Sequence, residues 1–386
     1  MPISENRIRK NIETFSFPRL SGTEYEKKAF DLAKEKVEKM GFEPHVQEFQ
    51  FSTFYSRVYP KIIFPLTFWL VLSFYLKLNF IILISNLVII SISFLPLFIL
   101  TRKPENIRIG KVLQSQNLYV RLESDQNRED QNYLKNDLRN VFFIAHLDSK
   151  GQKFIARTRF ISILGYTFSL ISLGIIIFLR DVVFRQIVLQ LSIVGFFPLF
   201  INFLTVLILS LNTTNNNSKG VVDDASGVAC VLELLHHYSD PNNRFKGANL
   251  WFVLTGAEET GTMGIRNFYT IISDIETETS LVNNFESLGK SVAAFISKNN
   301  LENNPTYYDH FKEKAGKYDF RTQVSSVSRG VHSDGIYLFQ KSFNLFEFGS
   351  TDVGKYMHSE YDKLENVDAA VLKKLCEFLV ELLEGL

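Results

Sequence analysis

The chain has 386 residues, long enough for one large domain or two ordinary ones, and a formal net charge of +1. Its lysines and arginines are interspersed with acids, which gives no reason to expect nucleic acid as a partner. Two cysteines, Cys230 and Cys376, exclude a disulfide framework, and the contexts CVLELL and LCEFL put both on apolar helix faces as buried free thiols.

In chain order, MPISENRIRKNIETF is polar and helical in pattern, so no signal peptide is expected there. Helical periodicity runs through Tyr25–Met40. An apolar block follows, in which Ile62 to Leu76 precedes Lys77 and the run Phe80 to Leu100 carries no charge. A bilayer core about 30 Å thick needs about 20 helical residues at ~1.5 Å each. The second run fits. The first fits if it begins near Val58 and Lys61 and Lys77 snorkel to the interfaces. One helix across the whole block would overshoot, so two spans joined near Lys77–Asn79 are expected. A second block repeats the pattern, with Phe160–Leu179 between Arg159 and Arg180, and Gln186–Leu211 between Arg185 and Asn212. Buried helices of a large aqueous core would show a polar face, and these show none. Four transmembrane helices in two hairpins, 58–101 and 159–211, are therefore expected.

Each hairpin returns the chain to the same side. Segments 1–57, 102–158 and 212–386 would then fold together as one discontinuous domain. Within them, strands are expected at Val141–Ala145, Leu250–Leu254 and Leu345–Phe348. Helices are expected at Gly227–Tyr238, in HSDGIYLFQ and at Val367–Leu383. The alternation predicts a three-layer α/β/α domain with a mixed central sheet. The polar stretch Gln114–Asn140 reads as an irregular surface excursion.

Five motifs fall at strand ends or in loops, where open α/β sheets build their sites. In FFIAHLDSK, His146 ends an apolar strand, and Asp148 is placed to accept its second ring N–H. In GVVDDASG, Asp223 and Asp224 stand side by side before a helix. That is a capping arrangement, or a pair of mutually repelling carboxylates that a cation would relieve. In LTGAEETGTMG, Glu258 and Glu259 leave a strand end in different directions, so that one can ligate while the other serves as a base. Glu286 closes a short apolar segment in LVNNFESLG, and His358 lies in the loop KYMHSEYDKLENVD. Two histidines with three or four carboxylates form a ligand set suited to zinc.

HLDS, VDDASG, AEETGTMG, NFESLG and YMHSEYDKLENV resemble, in sequence and order, the co-catalytic di-zinc aminopeptidase family. That family holds bacterial leucyl aminopeptidases, glutamate carboxypeptidases and, more distantly, glutaminyl cyclases. The opening FPRLSGTEYEKKAFDLAKEKVEKMGFEPHVQEF is similar to the family's first helix and strand, and neither hairpin is covered. The resemblance implies that His146 and Glu286 bind one zinc and Glu259 and His358 the other, with Asp223 bridging across a cis Asp223–Asp224 peptide. It further implies Glu258 as general base and acid and Asp148 as the partner of His146. Three positions depart from the pattern. Glu286 stands where many members have Asp. Gly335 replaces the histidine of a Ser-Asp-His stretch, so His332 and Asp334 take no role. Met357 occupies a position that is Tyr in some relatives, leaving Tyr356 as a weak substitute. His45, His236, His237 and His310 match no motif and are expected on surfaces or helix faces.

The reading is a membrane-embedded zinc aminopeptidase with two metal ions, acting on peptides with a free amino terminus. The alternatives are a cyclase-like acyl transfer on amino-terminal glutamine, to which HLDSK with Lys150 is as similar, and a metal-free receptor-like relative. Side-chain preference and oligomeric state are not legible. Arg57, Lys61, Arg102, Lys103, Arg108, Lys111, Lys150, Lys153, Arg157, Arg159 and Lys219 flank the spans on the catalytic side, against Lys77, Arg180 and Arg185 opposite. This bias predicts a catalytic domain facing the cytoplasm.

Overall fold

The computed structural model describes residues 1–124, 139–297, 305–325 and 332–384. The chain divides into two compact units, one of residues 1–51, 113–151 and 215–386, the other of 52–112 and 152–214.

The first unit is built on an eight-stranded sheet. Its strands are β1 (His45–Ser52), β2 (Val112–Leu122), β3 (Asn140–His146), β6 (Asn249–Thr255), β7 (Ser280–Phe285), β8 (Ala293–Ser297), β9 (Arg321–Ser325) and β10 (Asn344–Gly349). The two-residue strands β4 (Gly151–Gln152) and β5 (Thr214–Asn215) lie outside it. The order is β1-β2-β6-β3-β7-β10-β8-β9. Strands β6, β3, β7 and β10 run parallel, whereas β2 is antiparallel to β6 and β8 to β10, so the sheet is mixed. His146 pairs with Thr255 and Ile144 with Asn284, which brings the carboxyl ends of β3, β6 and β7 to one edge.

Both faces are covered, as the apolar run VFFIA within the strand NVFFIAH requires. Because side chains alternate along a strand, Val141, Phe143 and Ala145 enter one core and Phe142 and Ile144 the other. The first core is closed by α1 (Glu5–Phe15), α2 (Glu24–Lys39), α7 (Ser226–Tyr238) and α11 (Ala369–Glu384). The second is closed by α8 (Met263–Ile272) and α10 (Asp334–Phe339). A further helix, α9 (Pro305–Lys317), adds Phe311 to the first core. This is the expected α/β/α layering. Helix α7 is buried along nearly its whole length, which explains its apolar sequence, and its Glu233 is neutralised by Arg7 at 2.7 Å.

One expectation fails. The polar stretch from Gln114 is not irregular at its start, because β2 continues to Leu122. Its inward positions include Ser115 and Asn117, whose polar groups are bonded to Glu26, Gln47 and the Gly264 carbonyl. A strand that buries satisfied polar side chains lacks the apolar alternation by which strands are recognised. Residues 125–138 of that stretch lie outside the described residues.

The second unit holds α3 (Tyr59–Tyr75), α4 (Phe80–Thr101), α5 (Ala156–Phe178) and α6 (Val188–Leu211). With their flanking turns, all four helices are long and apolar enough to cross a membrane. Only 6–28% of their most apolar windows is buried, so these are not core helices of an aqueous domain. Asn79 caps α4, at the junction expected between the first two spans. At the same end, Arg180 bonds the carbonyls of Phe74 and Tyr75, and Asp181 pairs with both Arg180 and Lys77 at 2.8 Å. Between the helices, Thr67 meets Tyr166 at 2.6 Å and Asn202 donates to Ser169 at 2.8 Å. These hydrogen bonds link one apolar helix to another.

Candidate active site

The parallel strands deliver three of the five expected ligand residues to one edge, and a turn and a loop supply the other two. His146 is the last residue of β3, Glu258 and Glu259 follow β6 by two turn residues, and Glu286 follows β7 directly. Asp223 lies in the tight turn Val221–Ala225 that leads into α7, and the Asp223–Asp224 peptide is cis. His358 comes from the loop between β10 and α11, with φ +59°.

Asp223 is the hinge of the arrangement. Its Oδ1 lies 3.2 Å from His146 Nε2 and its Oδ2 lies 3.0 Å from His358 Nε2. Glu286 Oε1 stands 3.8 Å from His146 Nε2, and Glu259 Oε1 stands 3.1 Å from His358 Nε2. Two groups result, His146–Asp223–Glu286 and Asp223–Glu259–His358, each with its ligand atoms within 4.8 Å of one another. Among the described residues, Asp223 Oδ2 and Glu259 Oε1 are buried without a hydrogen-bond partner despite their closeness to the imidazole. Buried oxygens are seldom left so, and a shared cation would satisfy both. Imidazole nitrogen with carboxylate oxygen is a donor set that zinc accepts. The residues present therefore fit the metal.

The surrounding contacts hold the ligands in place. Asp148 is fully buried, and its carboxylate accepts from the Glu258 and Glu259 N–H groups at 3.0 and 3.1 Å and from the Ser21 hydroxyl at 2.5 Å. Its Oδ1 stands 3.4 Å from His146 Nδ1, whose closer neighbour is the Asp148 carbonyl at 3.1 Å. Asp224 accepts from the His146 and Gly227 N–H groups, and Asp362 from those of Val222 and Asp223. Lys150 Nζ pairs with Glu259 Oε2 at 2.6 Å.

The electrostatics follow from burial and charge. Burial alone would raise Glu259, but His358 and Lys150 outweigh it and hold the group down at about 2. Burial and the neighbouring Glu286 push Glu258 well above the usual carboxylate range. Burial works against a charged His146, yet Asp148, Asp223 and Glu286 raise it well above the ordinary imidazole value.

Sequence reasoning missed three buried supports. Arg19 is wholly buried, and its guanidinium donates to the carbonyls of Phe15, Phe17, Leu147, Lys219 and Gly220. Glu26 accepts from the Gly22 and Ala257 N–H groups at 2.6 and 2.8 Å. Asp362 is the third. All three stand inside stretches that carry the family resemblance, FPRLSGTEYE and SEYDKLENV, which is the signal that pointed near them. Gly335 is explained by its surroundings, since a Cβ there would run into Glu347 Oε2 and, at 2.7 Å, Asn284 Cβ. Tyr356 packs with Val222 and Val353, and none of His45, His236, His237 and His310 joins either ligand group.

Residues 206–383 match the family model described as peptidase family M28. Asp223, Glu258, Glu259, Glu286 and His358 lie inside the matched M28 region, and His146 lies ahead of it. Solved structures share the fold. An aminopeptidase from Aneurinibacillus sp. strain AM-1 has a TM-score of 0.57 at 13% identity, over 98% of this chain and 93% of its own. A Zn-dependent exopeptidase from Parabacteroides distasonis has 0.55 at 12% identity, over 99% and 98%. The glutaminyl cyclase of Fimbriiglobus ruber has 0.53 at 12% identity, over 100% and 96%. No curated protein sequence matches the chain. The M28 match and the shared fold agree with the zinc-metallopeptidase class that the five motifs imply.

Proposed function

We propose that the chain is a membrane-embedded aminopeptidase with two zinc ions, hydrolysing peptides at their free amino terminus. The observation that carries the reading is Asp223, whose two carboxylate oxygens face His146 and His358 separately. His146 and Glu286 would hold one ion, Glu259 and His358 the other, and Asp223 both. Two zinc ions so held supply a polarised scissile carbonyl and a water of lowered pKa. Glu258 takes the proton of the attacking water and passes it to the leaving amine, a task suited to a carboxylate of raised proton affinity. Asp148 fixes the turn that carries Glu258 and keeps His146 oriented. The completeness of the His146–Asp223–Glu286 group speaks against a single-metal, cyclase-like reading, and competent residues at all five positions speak against a metal-free receptor.

In the same reading, hairpins 58–101 and 159–211 cross the bilayer, and segments 1–57, 102–158 and 212–386 form the catalytic domain. The excess of basic residues beside the spans supports a cytoplasmic face for that domain. The direct test is a screen of aminoacyl-coumarin and glutaminyl substrates on detergent-solubilised protein, with and without a zinc chelator. Chelator-sensitive release of coumarin is expected. Cyclisation of glutaminyl substrates without release would overturn the peptidase reading.

A further inference from the structure

We propose that Glu26 is a positioning residue for hydrolysis, clamping Ala257 so that the Glu258 carboxyl is aimed at the reacting water. The inference rests on the aminopeptidase reading, in which Glu258 moves the proton. Helix α2 turns Glu26, Ala29, Phe30, Ala33 and Val37 inward. That spacing makes one helix face, apolar except for Glu26, which is only 4% exposed. A carboxyl placed on a buried face against the local pattern marks a use beyond packing. Its Oε2 accepts from the Gly22 N–H at 2.6 Å, and its Oε1 accepts from the Ala257 N–H and the Ser115 hydroxyl, both at 2.8 Å.

Ala257 is where the chain leaves β6 and turns into Glu258. Its φ of +52° lies in the left-handed region, which residues with a Cβ adopt only where their surroundings fix them. Rotation at this residue swings Glu258 directly. The turn is fixed from several sides. Four successive N–H groups, from Gly256 to Glu259, each meet a buried side-chain oxygen. Asn117 Oδ1 takes the first at 3.1 Å, Glu26 the second, and Asp148 the last two at 3.0 and 3.1 Å. Asp148 thus serves the base and the metal ligand alike, whereas Glu26 holds only the residue ahead of the base. The approach is close, since a Cβ at Gly256 would strike Ser115 Oγ and stand 2.6 Å from the Gln116 carbonyl. Glutamine cannot stand in for Glu26. Its amide has one acceptor oxygen, and its nitrogen would face the N–H of Gly22 or of Ala257.

The test measures kcat, KM and zinc content of the full-length protein in detergent, with an aminoacyl-coumarin as substrate. Glu26→Gln should lower kcat by about tenfold, the scale of a small misplacement of a reacting group, with KM held within about twofold. Zinc content should not change, because every ligand stays in place. The deciding measurement is the same substitution in a Glu258→Gln background. A residue that acts through Glu258 should there cost nothing further, whereas one that merely supports the fold should cost the same again. Ser115→Ala removes one hydrogen bond to Glu26 and keeps its carboxyl. It should show the same pattern at about threefold, and it carries the test if Glu26→Gln does not fold. An equal fall in both backgrounds, a loss of zinc, or an unchanged kcat in both variants overturns the proposal. Absence of chelator-sensitive hydrolysis in the unaltered protein would instead overturn the aminopeptidase reading, and the inference with it.

Discussion

Lys150 Nζ sits 2.6 Å from Glu259 Oε2, the oxygen that Glu259 does not turn towards His358. One carboxylate is thus divided between a cation of the protein and the place where a metal ligand is needed. Lys150 fixes the carboxylate so that Oε1 alone faces His358. Contacts of this kind orient a ligand, and their loss costs about 10- to 100-fold in metal affinity. Lys150→Met should therefore weaken zinc binding by about tenfold in a competitive chelator titration. Unchanged affinity would mean that Glu259 needs no such partner.

The two adjacent glutamates should separate cleanly by experiment. Glu258→Gln removes proton transfer and leaves every ligand in place, so zinc content should hold while hydrolysis falls by about 100-fold or more. Glu259→Gln should lower zinc content itself. Equal metal loss in the two variants, read by elemental analysis, would show that their roles have been assigned wrongly.

Glu347 should make the fold sensitive to pH. Burial pushes its carboxyl from 4.5 up to about 7. A carboxyl raised in the folded state binds its proton more tightly there than in the unfolded chain. Its contribution is therefore complete below about pH 4.5 and is lost as pH rises towards 7. Glu347→Gln keeps the acceptor that Asn284 Nδ2 meets at 3.1 Å and removes the titration. Between pH 5 and pH 7.5 the unfolding temperature of the unaltered protein should fall more than that of the variant. The difference at pH 7.5 should be on the order of 1–3 kcal/mol. Parallel slopes would clear Glu347 of any part in it.

Sidedness is open to chemical labelling. Single cysteines at Lys77 and Val182 mark the turns at the far ends of the hairpins, and one at the exposed Lys10 marks α1. With a membrane-impermeant thiol reagent on intact cells, labelling at the first two and none at Lys10 is expected. The native thiols Cys230 and Cys376 are buried and should contribute little background. The opposite pattern would place the catalytic domain outside the cytoplasm.

What was legible in the sequence had a local signature. The apolar spans lack any polar face, β3 holds the apolar run VFFIA, and each ligand residue stands in a short motif at a strand end, in a turn or in a loop. Arg19, Glu26 and Asp362 had none. Arg19 acts on carbonyls up to 201 positions away, and Asp362 on the backbone of Val222 and Asp223, 140 and 139 positions away. Main-chain carbonyl and N–H groups carry no residue identity, so no spacing rule announces their partner. Strand β2 was lost for a related reason, because Ser115 and Asn117 are buried through distant hydrogen bonds and not through hydrophobicity.

The buried guanidinium of Arg19 also imposes an order of events on biosynthesis. It joins carbonyls at 15 and 17, at 147, and at 219 and 220, stretches that leave the ribosome far apart in time. In the membrane-spanning reading both hairpins must be threaded before these stretches can meet, and four of the five ligand residues follow the second hairpin. Nascent chains stalled before residue 223 should accordingly show no zinc-dependent hydrolysis. A hydrolase assembled this way would pass through its own insertion in an inert form.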